Sequence, residues 1–154
     1  MLAVSAPVRP DSWDFPLLVH VLGAMLLVGT LALTVTALVL AWRNDDPALA
    51  RLGYRSLLLG VLPAWIVMRA AAEWIASKED LTDSNLSWIG IGSTTADGGF
   101  ALILISLILA GIAVRRSRRS EGAGRGFRRA TTVGVSVLLI AYLVAMWAMT
   151  TKPV

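Results

Sequence analysis

The chain has 154 residues, of which 56% are apolar and 16% charged, with a net charge of +4 and a mean hydropathy of +0.72. A soluble domain averages about 45–50% apolar and about 25% charged residues, so a soluble globule and a disordered chain are both excluded. The absence of cysteine and the single histidine, His20, remove disulfides, thiolate metal sites, cysteine nucleophiles and any site that takes two imidazoles from one chain.

Four continuous apolar runs follow in chain order, and together they predict an all-α, transmembrane four-helix bundle occupying 1–154 as a single membrane domain. A helix needs about 20 apolar residues to cross a bilayer core, and a spanning backbone must satisfy its amides internally, which leaves helices as the reading. The first span is 15–42, with no charge and only His20 ionisable. Ala48-Leu49-Ala50 imitates a signal-peptidase site, but the run before it is too long and is preceded by Asp11 and Asp14, so the span is read as retained. The second span is 57–76. Arg69 and Glu73 lie in its last third, and Pro63 predicts a kink. The third is 96–114, with 86–92 read as a short surface segment before it and Asp97 as its cap. The fourth is 130–149.

Ten of the 14 basic residues fall in the loops 43–56 and 115–129. The bias of Lys and Arg in short loops sets topology. Both loops are therefore expected in the cytoplasm of a cell inner membrane, the loop 77–95 outside, and both termini extracytoplasmic. Trp13, Trp74 and Trp88 fall near the outer boundary, and Trp42, Tyr54 and Phe127 near the inner one. Arg51-Leu-Gly-Tyr54-Arg55 before span two is echoed by Arg125-Gly-Phe127-Arg128 before span four. A duplicated hairpin would explain this, and so would the charge rule alone.

The candidate intramembrane polar site is His20, Arg69 and Glu73. At ~1.5 Å per residue, His20 lies roughly 10 Å, Arg69 ~12 Å and Glu73 ~6 Å below the outer boundary, so all three share the outer leaflet. Arg69 and Glu73 are four apart on one helical face, within reach of an ion pair. Ionisable groups inside a span are costly and are usually paired or functional. A packing ion pair and an interhelical hydrogen bond from His20 are the structural alternatives. His20, Gly23, Leu27, Thr30, Thr34 and Ala37 form one seam of small and hydroxyl residues, and Gly134, Leu138, Ala141, Ala145 and Ala148 form another. Such seams let membrane helices approach closely.

The basic loop residues Arg115, Arg116, Arg118, Arg119, Arg125, Arg128 and Arg129 are expected to face anionic lipid headgroups, each worth about 1 kcal/mol. No nucleic-acid partner is needed to explain them. No phosphate loop, GxSxG, HExxH or Ser-His-Asp pattern is present, and the spans leave no soluble catalytic domain. No catalytic residue and no metal ligand set is assigned, which points away from an enzyme.

The stretch His20-Val-Leu-Gly23-Ala24-Met-Leu-Leu-Val28-Gly29 resembles the first helix of several bacterial membrane families. These are four-span integral membrane proteins of unknown function, the copper-resistance D proteins and the HemJ-type protoporphyrinogen oxidases. The resemblance implies a small helical bundle and, through the last two, haem or a metal with His20 as ligand. The chain departs from them in lacking a second histidine, so haem would need Met25, Met68 or Met146 opposite, an open position, or a symmetric dimer. Three functions follow as expectations. The first is a non-enzymatic subunit or partner of a membrane assembly, as a homo-oligomer or in a larger complex. The second is a haem-, metal- or proton-handling protein using His20 with Glu73 and Arg69, and the third a small coupled transporter.

Overall fold

Residues 14–78, 87–117 and 124–150 are described by a computed structural model. They form four helical rods: α1 (Asp14–Asn44), α2 (Pro47–Ser56) continuing through a π-helical turn (Leu57–Val61) into α3 (Leu62–Lys78), α4 (Ser87–Ser117) and α5 (Arg125–Thr150). Four helices, Asp14–Asn44, Pro47–Ser77, Thr94–Ser117 and Arg125–Ala148, are long and apolar enough to cross a membrane. The protein is a multi-pass, all-α four-helix bundle.

The core is built from one stripe of each rod. Leu27 and Leu31 of α1, Leu57 and Val61 of the π turn, Ile103 of α4 and Val135 and Leu138 of α5 are wholly buried. Outside this stripe, large side chains such as Leu26, Leu59, Ile108 and Ile140 lie exposed. That inversion suits a lipid solvent, because hydrocarbon does not drive leucine inward and packing selects small residues at the contacts. Both predicted seams lie at helix contacts: Gly23, Leu27, Thr34 and Ala37 are buried in α1, and Leu138 and Ala145 in α5. α1 packs on the α2–α3 rod and on α5, and α4 packs chiefly on α5. α4 meets α2 more closely than α3, so the rods spread apart away from the α1–α2 turn.

Helix ends depart from the predicted boundaries. The loop expected over 43–56 contracts to Asp45 and Asp46. Asp45 takes a left-handed φ of 53°, and the Asp46 amide returns to the Ala41 carbonyl at 3.1 Å, closing α1 with a Schellman motif. Asp46 then caps α2, its Oδ1 accepting from the amides of Ala48 at 2.7 Å and Leu49 at 3.4 Å. Pro47 sits at the first helical position, where its missing N–H costs nothing. The loop expected over 115–129 is helical to Ser117 and again from Arg125.

The surface segment expected over 86–92 is, from Ser87, part of α4, and Asp97 lies inside that helix rather than capping it. At ~1.5 Å per residue, α4 is about 46 Å long and outruns a hydrocarbon core of about 30 Å. The irregularity predicted at Pro63 lies one turn earlier, where the Leu62 amide reaches back five residues to Leu57. The ladder widens where the coming proline supplies no amide of its own.

Candidate functional site

His20 sits on the buried seam of α1, one turn before Gly23. A Cβ on Gly23 would lie 3.0 Å from both Cα and N of Met68, so the backbones of α1 and α3 touch there. The close approach lets His20 donate its Nδ1–H to the Met68 carbonyl at 3.1 Å. A carbonyl only accepts, so the proton must be on Nδ1. Nε2 has no hydrogen-bond partner among the described residues.

Arg69 follows Met68 but faces α4. Its Nη2 pairs with Glu73 Oε1 at 2.7 Å and with Asp97 Oδ1 at 3.3 Å. The pair read from spacing is thus a triad, and its third member comes from another helix. Beside it Trp65 donates to the Ala96 carbonyl at 3.2 Å and stacks on Phe100 at 4.4 Å between ring centroids. These contacts tie α3 to α4 where the rods spread. Tyr142 of α5, 7% exposed, presses its hydroxyl on Gly99, where a Cβ could not fit. That hydroxyl is buried and makes no hydrogen bond among the described residues. The three predicted residues therefore divide between two seams, and no hydrogen bond or ion pair joins His20 to Arg69 or Glu73 among the described residues.

A second polar knot lies at mid-bundle. Thr34 donates to the Thr30 carbonyl at 2.7 Å, and its hydroxyl lies 2.8 Å from that of Ser56. Ser56 also reaches the Thr30 carbonyl, at 3.3 Å. The knot joins α1 to the start of the π turn, where a Cβ on Gly60 would crowd the Thr30 methyl at 2.9 Å.

The Arg-rich end is ordered by a residue that charge counting passed over. Asp45 accepts from Arg125 at 2.6 Å and also pairs with Arg128. The Arg125 hydrogen bond foremost, and then that of Arg128, hold its carboxyl below the usual carboxylate range. Arg128 is only 5% exposed and its Nε has no partner among the described residues, so it is not a lipid-facing residue. Asp45 draws it under the α1–α2 turn. Arg116 lies 4.8 Å over the Phe127 ring and Arg129 5.4 Å over Trp42, at cation–π distances. Arg115 is exposed at the end of α4. Arg118 and Arg119 lie outside the described residues.

Asp45 carried two sequence signals. An acidic pair before proline marks a helix start, and an acid amid arginines invites pairing. Nothing local pointed to Asp97 as a partner for Arg69.

Among the described residues no three histidine or acidic side chains converge to hold a metal ion. At the turn next to His20 the α1 and α3 backbones are in contact, Gly23 lying against the Met68 backbone. No family model, no curated protein and no solved structure matches the chain, and the membrane-spanning four-helix plan is the level at which it is assigned.

Proposed function

We propose that this protein is a non-enzymatic subunit or partner of a membrane assembly, working through its helix faces. The observation that carries the reading is the engagement of its intramembrane ionisable groups inside the chain. His20 is bound to the Met68 carbonyl, and Arg69 to Glu73 and Asp97. Groups tied this way hold helices together. We place the Arg-rich end in the cytoplasm of an inner membrane and both termini outside, because the arginines gather in two short loops. The basic side chains Arg115, Arg116 and Arg129 then meet anionic headgroups.

Isolation of the tagged, full-length protein in mild detergent tests the reading. It expects a stoichiometric partner or a homo-oligomer whose yield falls in Arg69→Ala or Glu73→Ala. A lone monomer would refute it. Since the chain has no cysteine, single-cysteine variants report orientation directly. Ser5→Cys should react with an impermeant maleimide on intact cells, and Ser120→Cys only after lysis.

One observation favours a second reading. The bond to Met68 fixes the tautomer and leaves Nε2 as an acceptor, the arrangement in which ligating or proton-relaying histidines are held. An absorption band or bound metal in the same preparation, lost in His20→Ala, would establish it.

A further inference from the structure

The surface of α5 carries Gly126, Ala130 and Gly134 at steps of four, a stripe almost without side chains. Beside it runs α4, and between them lies an open groove of about 510 Å³ walled by Leu102 and Ile105. Ligand clefts commonly measure about 300–1,000 Å³. Neither the stripe nor the volume identifies an occupant, but two polar groups do.

The first is Ser106, which lines the groove although the residue is only 2% exposed. Serines and threonines in membrane helices usually return the hydroxyl to the carbonyl four residues back, as Thr131, Thr132 and Ser136 do on the facing helix. Ser106 does not, and its hydroxyl has no hydrogen-bond partner among the described residues. It points across to Gly134, where a Cβ would lie 3.1 Å from Ser106 Oγ.

The second is Arg129, which also lines the groove. Arg125 and Arg128 share Asp45, whereas Arg129 has no carboxylate partner among the described residues and only the Trp42 ring beneath it. It lies in the second turn of α5, just beyond the first-turn amides that have no intrahelical acceptor. Arg129 to Gly134 is five residues, an axial step of ~7.5 Å. The interfacial layer on each side of a bilayer core is about 5–7.5 Å deep. A cation and a hydroxyl donor one interfacial layer apart, joined by an apolar channel, match the phosphate, the glycerol ester and the acyl chain of a phospholipid.

We propose that this groove binds one anionic phospholipid of the leaflet at the Arg-rich end. Its phosphate lies against Arg129, an ester carbonyl accepts from Ser106, and an acyl chain follows the glycine stripe. The proposal rests on the headgroup contact of Arg129 given above, and its failure would leave the partner reading standing.

Native mass spectrometry of the full-length protein in mild detergent, titrated with dioleoylphosphatidylglycerol or dioleoylphosphatidylcholine, tests it. One phosphatidylglycerol should bind in preference to phosphatidylcholine. Arg129→Gln, at an exposed position, should weaken phosphatidylglycerol about fivefold, the equivalent of ~1 kcal/mol per basic group, and leave phosphatidylcholine unchanged. Ser106→Ala should weaken both lipids about threefold, and Ala130→Leu, which fills the stripe from an exposed position, should reduce both further. Equal retention of the two lipids, or wild-type phosphatidylglycerol binding in Arg129→Gln, would overturn the proposal. So would an Ala130→Leu protein that loses a dimer while keeping its lipid, since the groove would then belong to a second copy. Should Ala130→Leu fail to fold, the Arg129→Gln titration decides alone.

Discussion

Gly23→Ala isolates the contact that positions His20. The added Cβ would lie 3.0 Å from Cα and N of Met68 and 3.1 Å from its Cβ, whereas carbon atoms pack best at about 3.5–4.0 Å. These are backbone and root atoms, so α1 itself must retreat by roughly half an ångström. The His20–Met68 hydrogen bond, 3.1 Å long, would then stretch beyond useful range. Overpacking costs about 1–3 kcal/mol and the lost interhelical hydrogen bond about 0.6 kcal/mol. Replacing glycine by alanine in a helix returns about 0.8–1 kcal/mol. The net expectation is a loss of about 1–3 kcal/mol. Gly29→Ala is the control, because nothing lies within 4 Å of a Cβ there and only the helix gain remains. Reversible unfolding of the two variants in mixed micelles should give opposite signs relative to wild type. The imidazole ¹⁵N spectrum should show His20 released in Gly23→Ala alone. Equal stability of the two variants, with His20 unmoved, would refute the close approach of α1 and α3.

Asp45 predicts a pH dependence. Its folded pKa is lowered by Arg125 and Arg128, so the unfolded chain, with a value near 3.9, takes up the proton first. The stabilisation is fully present above that value and disappears as pH falls through it toward the folded pKa. Thermal midpoints should drop below about pH 4, and Asp45→Asn should remove that drop while lowering the midpoint at pH 6. Matching pH profiles would count against the clamp. A double-mutant cycle of Arg69→Gln with Asp97→Asn should give a coupling of about 0.2–1 kcal/mol, the range for accessible ion pairs. Additivity would separate α3 from α4 at this point. Thr34→Val and Ser56→Ala should each destabilise by about 0.6 kcal/mol and together by less than their sum, since they break one shared knot. Full additivity in unfolding measurements would show the two hydroxyls to be independent.

Part of the candidate site was legible beforehand, and for a local reason. Arg69 and Glu73 pair as their spacing requires, because residues four apart on a helix are neighbours whatever the tertiary fold. The seam from Gly23 to Ala37 is buried because small residues at helical steps admit a second backbone. The misplaced boundaries were local as well. The Asn44-Asp45-Asp46-Pro47 run holds a helix stop and a helix start together, a signal carried by turn chemistry and not by hydrophobicity. Asp97 illustrates the opposite case. An acid beside Gly98 and Gly99 reads as a cap, and only the approach of α4 to α3 makes it the second carboxylate on Arg69.

What the amino-acid order determined by itself was the solvent and the number of crossings. Each apolar run is long enough to cross hydrocarbon, and a backbone in hydrocarbon must close its own hydrogen bonds. Tertiary structure alone decided which polar group serves which. His20 meets a carbonyl rather than Glu73, Arg128 goes inward to Asp45 while Arg129 stays out, and Ser106 faces an open groove. Those choices depend on helix rotation and crossing, set by packing between residues distant in the chain, and no periodicity within a single helix encodes them.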